Sequence, residues 1–433
     1  MVSSDSRIVI LGGGAWGLST GLYLTEAGYS DVTILERAET IPSPYSAAYD
    51  LNKIIRAEYE DDFYSKLALE AIEGWKTPLF GPYYHQTGYV VATTGKAPGK
   101  AITHLEKALA SIEKDPAFAP GIRRLDGAKD FKNYTWQYTG PLSGFKGYYN
   151  PLAGYAHSSD TMKGIWVHVS QRGVKSILGE RAGKAVRLEY SNGKVTGVTT
   201  ADGKTHLADL VISALGAHSA ELLPQLDKSS IARSWSVAHV QLTEDECNLL
   251  RGIPTTNIRD LGFFFEPDPK TKLFKLCPLG IGYTNTGKDG ISLPPSPALS
   301  PSQGFIPKGD EEKLRQLLRE TFPWMADRPF VDKKLCWFSD TPDSNYCIDF
   351  VPGTEKSVIA LNGDSGHGFK MMPIFGKWVT ELIAKGKQDE PRWQWRTPSE
   401  IASHWGESVS WRVGQGAEWR ELIRAESKGA AKL

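Results

Sequence analysis

The stretch Arg7-Ile8-Val9-Ile10-Leu11-Gly12-Gly13-Gly14-Ala15-Trp16-Gly17 decides the fold. The β-branched run before the glycines reads as a strand. Gly12, Gly14 and Gly17 stand in G-x-G-x-x-G spacing, and Leu18 to Ala27 reads as a helix closed by Gly28. A second strand, Val32-Thr33-Ile34-Leu35, then ends in an acidic residue, Glu36. Strand, glycine turn, helix, strand and carboxylate in that order form a dinucleotide-binding unit. Gly12 permits the tight turn, Gly14 lets the backbone approach a pyrophosphate, and Gly17 lets the helix pack closely. The helix N-terminus offers unpaired N–H groups to phosphate, and Glu36 can accept hydrogen bonds from a ribose.

Working outward, a single such unit near the N-terminus, with no second one later, fits a flavoprotein that retains FAD. Val186 to Thr200 reads as a hairpin turned at Ser191-Asn192-Gly193, with another turn at Asp202-Gly203. The run Ala208 to Ala217 then reads as a buried strand returning to the nucleotide domain, an order typical of glutathione-reductase-type FAD folds; an ordinary meander is the alternative. Residues 100–114 and 311–321 read as helices, 284–310 as a long Gly/Pro/Ser-rich loop, and the aromatic stretch Ser234 to Phe265 as antiparallel sheet. A second glycine-rich turn, Gly363-Asp364-Ser365-Gly366-His367-Gly368-Phe369-Lys370, precedes a helix over 376–385 and offers further backbone N–H groups to a ligand.

Composition narrows the function. The 433 residues suit two or three domains at roughly 150 residues each. Lys plus Arg and Asp plus Glu both total 50, so zero net charge argues against a nucleic-acid or polybasic membrane binder. No apolar run approaches the ~20 residues of a membrane span. The four cysteines have no C-x-x-C spacing, so neither a disulfide framework nor a metal site is expected. Polar residues Ser3 to Arg7, and an apolar run cut short at Gly12, do not make a secretory leader. The terminal Ala431-Lys432-Leu433 is a close variant of the peroxisomal S-K-L address, which predicts a peroxisomal import receptor as a partner.

Over nearly its whole length the chain resembles the fungal fructosyl amino acid oxidases (amadoriases), within the monomeric sarcosine oxidase family. The resemblance is carried by the N-terminal fingerprint, Asp50-Leu51-Asn52-Lys53, Pro82-Tyr83-Tyr84-His85, Gly144-Phe145-Lys146-Gly147-Tyr148, Gly262 to Asp268, Cys336-Trp337-Phe338-Ser339-Asp340-Thr341 and the Gly363–Lys370 turn. It implies an α/β (α+β overall) architecture: a glutathione-reductase-type FAD-binding Rossmann domain (1–85, 151–225 and 336–388) interleaved with an antiparallel-sheet substrate domain (86–150 and 226–335), then a C-terminal tail from 389. It implies a monomer that oxidises the C–N bond of a secondary amine by hydride transfer to flavin N5. The imine then hydrolyses, and O₂ reoxidises the flavin to give hydrogen peroxide. A flavin dehydrogenase with a non-oxygen acceptor is the alternative of another class.

Position by position, Cys336 matches the cysteine bonded covalently to FAD, with Cys347 left structural. Lys275 matches the lysine that activates oxygen, Lys53 a basic residue near the flavin, and Lys370 a lysine at the substrate end. The cofactor set implied is Gly12, Gly14, Trp16, Gly17, Glu36, Arg37, Ser46, Lys53, Val186, Gly216, Cys336, Gly366, Gly368, Phe369 and Lys370. Lys275, Lys370 and Arg56 form the catalytic set; Arg56, Lys370 and Leu279 contact substrate. Two departures bear on substrate. Amadoriases carry Cys-Asp-Glu where this chain has Cys277-Pro278-Leu279, and they commonly lack the carboxylate-binding arginine found here in Lys53-Ile54-Ile55-Arg56. Together these predict an N-alkyl, pipecolate- or saccharopine-type amino acid, with a fructosyl amino acid as alternative. A structural salt bridge from Arg56 to Glu58, Asp61 or Asp62 is the competing role for that arginine.

Overall fold

The computed structural model describes residues 2–226, 229–295, 304–396, 409, 412–414 and 416–430, with side chains after 425 not described. Ala431-Lys432-Leu433, Trp405 and Trp411 lie outside the described residues. The hydrophobic run Ile8–Leu11 is fully buried and is the centre of a six-stranded sheet. It pairs in parallel with Val32–Glu36 on one side and Leu210–Ser213 on the other. Lys175–Leu178 and Val358–Asn362 extend the sheet in parallel, and Cys347–Phe350 closes one edge antiparallel. Continuous apolar strands are what a parallel sheet covered on both faces requires.

The helix Ala15–Glu26 covers one face and is buried on nearly every side, because a second layer lies outside it. Ser19 Oγ donates to the Met372 carbonyl (2.6 Å) and accepts from the Gly376 N–H (2.9 Å), tying it to the helix Met372–Lys385. A Cβ on Gly376 would lie 2.1 Å from the Ser19 carbonyl, so only glycine permits this approach. The expected hairpin is present as Ala185–Ser191 and Lys194–Thr200, joined by Thr205–Leu207 into a three-stranded meander. The chain then re-enters the parallel sheet at Leu210–Ser213, held at its start by Arg7 paired to Asp209 at 2.8 Å. The meander is therefore the crossover of a glutathione-reductase-type arrangement.

A ten-stranded sheet forms the second layer system, built around the long strands Ile231–Gln241 and Phe330–Asp340. It is mostly antiparallel, but Thr255–Ile258 pairs in parallel with Tyr89–Thr93. The helix Lys308–Thr321 covers one face of it through Leu314, Leu317 and Leu318. Two expectations need adjustment. The strand carrying Cys336 belongs to this sheet up to Asp340, so a boundary at 335/336 cuts a strand whose hydrogen bonds are continuous. The region after 389 is also tied to the body: Ala417–Glu418 pairs with Tyr283–Thr284, and Glu418 accepts from Thr284 and Thr286. No helix among the described residues is long and apolar enough to cross a membrane.

Candidate functional site

A cavity of about 290 Å³ runs from the first glycine turn to the space between the two large sheets. At its nucleotide end, Gly12 has φ +98°, and a Cβ there would meet the Ala214 carbonyl at 2.6 Å. A Cβ on Gly17 would lie 2.0 Å from the Gly12 carbonyl, so Gly17 serves packing and does not line the cavity. Gly14 differs: its Cβ position meets only Ser46 Oγ, at 3.5 Å, leaving an open approach to backbone. Glu36 accepts from the N–H groups of Gly13 and Ala38, both at 2.9 Å, and its carboxylate forms part of the wall. Each carboxylate oxygen retains accepting capacity for a ribose hydroxyl. Arg37, stacked 4.4 Å from the Tyr45 ring, with Trp16, Ser46 and Gly216, completes this end. These features fit a dinucleotide.

Val186 is the exception. A register shift in the hairpin between Ala185 and Arg187 leaves its side chain 48% exposed, and Ala185 lines the cavity in its place.

In the middle of the cavity the period-2 alternation of Leu273–Pro278 sends Phe274 and Leu276 into the core while Lys275 and Cys277 line the cavity. Lys275 is 1% exposed, which excludes the role of a surface strand lysine. Its ammonium donates to Asp50 Oδ2 (2.5 Å) and to the Asn52 carbonyl (2.7 Å). Lys53 donates to the same Asp50 oxygen at 2.9 Å and reaches Cys336 Sγ at 3.7 Å. Burial alone would raise the Asp50 carboxyl, but Lys275, Lys53 and Lys334 outweigh it and hold it well below the usual range. Asp50 is thus the hub that joins Lys275, Lys53 and Lys334. In the sequence Asp50 stands out only as part of Asp50-Leu51-Asn52-Lys53, since nothing local links residue 50 to residue 275.

At the far end, Lys370 donates to Tyr59 Oη (2.9 Å) and to the His367 carbonyl (3.0 Å). Burial, with Arg56 nearby, drives its ammonium well below the ordinary lysine value. The positive-φ Gly366 and the adjacent Gly368 make room for Trp235 and Trp16, which a Cβ would meet at 2.3 and 2.7 Å. The turn is therefore seated between the helix Ala15–Glu26 and the large sheet, with Phe369 in the cavity wall. Asp364 in this turn accepts from the N–H groups of Ser339 (3.1 Å) and Gly366 (3.0 Å); burial pushes it up to about 6.

Arg56 lies over the Tyr59 ring at 4.8 Å and faces the cavity. Among the described residues it has no ion pair with Glu58, Asp61 or Asp62. Glu58 accepts from Asn150 Nδ2 at 2.6 Å, and Asp61 caps a helix at Phe63 and pairs with Arg392. Leu279, Phe263 and Phe265 supply apolar wall. The sequence reading missed Asn257 and Arg259, which also line this end. Their only signal was position at the end of a strand, and that is uninformative before the strand's neighbours are known. The described residues contain no group of side chains suited to a metal ion.

Comparisons with known proteins agree with this geometry. A family model described as FAD dependent oxidoreductase matches residues 7–382. The chain is 33% identical over 409 residues to the L-saccharopine oxidase of Schizosaccharomyces pombe, covering 90% of this chain and 93% of that one. It is 23% identical to the monomeric sarcosine oxidase of an Arthrobacter species, covering 90% and 95%. The crystal structure of the fructosamine oxidase amadoriase II from Aspergillus fumigatus superimposes with a TM-score of 0.88 at 30% identity, covering 97% of both chains.

Proposed function

The chain belongs to the FAD dependent oxidoreductase family, and on that premise we propose that it oxidises the C–N bond of a secondary-amine α-amino acid of N-alkyl, pipecolate or saccharopine type, with O₂ as acceptor. When bound, FAD would supply the two-electron chemistry, taking a hydride with both electrons from the carbon while the amine nitrogen gives up a proton. The imine product hydrolyses to a carbonyl compound and an amine, and O₂ is reduced by the same two electrons to hydrogen peroxide. The chain's own residues bind, orient and exclude water.

The observation that carries this reading is the pairing of Arg56 and Lys370 at one end of a cavity whose middle holds Lys275 and Cys336. Arg56 supplies a planar fork for the α-carboxylate and Lys370 a point charge beside it. A carboxylate bound there fixes the reacting carbon at a set distance from the flavin. Its charge would also favour a protonated Lys370, offsetting the burial that lowers it. Lys275, buried in the cavity wall, is a fixed cation for the negative charge that develops on oxygen. Lys53 donates towards Cys336 Sγ, the atom that would bond covalently to the flavin ring. Leu279 in the wall favours this reading over the sugar-bearing substrates of amadoriases, because an apolar side chain cannot pair with hydroxyl groups.

The test is a peroxide assay of the purified protein with sarcosine, pipecolate, saccharopine, N-methyl amino acids and fructosyl-valine. Secondary amino acids should be turned over, and Arg56→Met should raise KM by about 10²-fold, the scale of a buried charge-assisted pair. Efficient turnover of fructosyl-valine alone would overturn the substrate class. Flavin reduction without peroxide would assign a dehydrogenase.

A further inference from the structure

We infer that Arg259 is a second carboxylate clamp, so that the natural substrate is a secondary-amine amino acid carrying another carboxylate beyond the one held by Arg56 and Lys370. This deepens the function proposed above and rests on it. Arg259 directly follows the strand Thr255–Ile258, and its own N–H donates to the Ala92 carbonyl at 2.8 Å. The parallel pairing with Tyr89–Thr93 thus extends to residue 259 and fixes where the side chain leaves the backbone. The residue is 7% exposed and forms part of the cavity wall with Asn257, Phe263 and Phe265.

Its guanidinium makes no ion pair and no side-chain hydrogen bond among the described residues. Glu60, the carboxylate whose field reaches it, is held by His104 at 2.7 Å. Burial, with the like charge of Arg56 nearby, lowers the Arg259 guanidinium to about 10. Two guanidiniums sharing a cavity wall, Arg259 buried and Arg56 half-buried, repel each other, and a desolvated charge without a partner is costly. A ligand anion relieves both. The α-carboxylate is matched by Arg56 with Lys370, which leaves the Arg259 guanidinium with no carboxylate in direct contact among the described residues. The flavin phosphates do not supply the missing charge, because the electrostatic neighbours of Arg259 are Tyr89, Arg56, Tyr148 and Glu60, none from the glycine loops. A second carboxylate on the substrate does, through the same planar fork geometry. A polyhydroxylated or purely apolar substituent would leave the charge unpaired.

The experiment compares kcat/KM for secondary amines with at least one further carboxylate (the dicarboxylic N-methylglutamate, N-methylaspartate and iminodiacetate, and the tricarboxylic saccharopine) with that for monocarboxylic ones (sarcosine, pipecolate, N-methylglutamine). The best compound of the first group should exceed the best monocarboxylic one at least tenfold. Arg259→Met should bring that ratio close to one, chiefly through KM, while Arg259→Lys should retain most of it. A monocarboxylic compound as best substrate, or a preference for the first group that survives Arg259→Met, would overturn the inference. Should Arg259→Met not fold, the unmutated holoenzyme still decides. Glutarate should perturb the flavin absorbance with at least tenfold tighter binding than butyrate, and equal binding rejects the second clamp. Failure of every amine to reduce the flavin would instead reject the function proposed above, and the glutarate–butyrate comparison would still judge Arg259.

Discussion

Lys275 and Cys336 sit far apart in sequence, and the structure joins them through Asp50 and Lys53. This arrangement makes each separable by mutation. Lys275→Met removes the cation but leaves Asp50 beside Lys53 and Lys334, so the buried carboxylate stays compensated and the fold should survive. Flavin reoxidation by O₂ should slow by about 10²-fold, the scale of losing one preorganised electrostatic group, with reduction hurt less. Stopped-flow traces with unchanged reoxidation would remove Lys275 from that role. Cys336→Ser keeps a small polar side chain at the cavity wall but cannot form a thioether. Acid denaturation should release FAD from the variant and leave it attached to the unmutated chain; full release from both would reject covalent attachment.

At the scale of elements, the first glycine turn separates two effects that one motif combines. Gly17→Ala would drive a Cβ to 2.0 Å from a backbone carbonyl, where no flexible side chain can yield. It should destabilise the protein by about 1–3 kcal/mol, the usual cost of overpacking, read by urea unfolding of the apoprotein. Gly14→Ala meets only Ser46 Oγ at 3.5 Å, so apoprotein stability should barely change. Its methyl group instead occupies the approach to the pyrophosphate, and the flavin-to-protein absorbance ratio should fall. A second element-level test concerns the helix Glu244–Leu249. Glu246 completes a capping box with Thr243 and takes two hydrogen bonds from Arg328, at 2.8 and 2.5 Å. The bonds from Arg328 lead in lowering its carboxyl to about 2, from an ordinary 4.5. A depressed acid stabilises the folded state above its unfolded value and loses that contribution as pH falls towards the folded one. The stability gap between wild type and Glu246→Gln should therefore be full above pH 4.5 and shrink steadily towards pH 2. A gap that grows on acidification would contradict this sign.

For the molecule as a whole, the segment after 389 locks onto both sheets. Arg412 pairs with the buried Asp340 and donates to Ser344 Oγ at 2.9 Å, while Arg233 holds the other Asp340 oxygen at 2.8 Å. Asp340 ends the long strand of the large sheet, and the loop after it leads into the edge strand of the parallel one. Arg412→Met should leave Asp340 half-compensated in the interior and cost about 3–5 kcal/mol in urea unfolding, the range for breaking a buried pair. A loss below 1 kcal/mol would mean that Arg233 alone satisfies the carboxylate.

Local pattern was enough to determine the nucleotide half of the protein. Ile8–Leu11, the three glycines, the helix behind them and Glu36 all act within a short segment, where backbone sterics and hydrogen-bond periodicity are set by neighbours in sequence. The meander and the returning strand at Leu210–Ser213 were legible for the same reason. Arg56 and Lys370 came from the resemblance of their motifs, and the structure brings them to one cavity. The Asp50 hub, the free guanidinium of Arg259 and the exposure of Val186 were not legible. Each depends on which strand lies beside which, on a register shift, or on the absence of a partner. A charge's partner in a buried site is chosen by sheet pairing across hundreds of residues, a long-range outcome that propensity and spacing do not encode, so tertiary structure alone decided them.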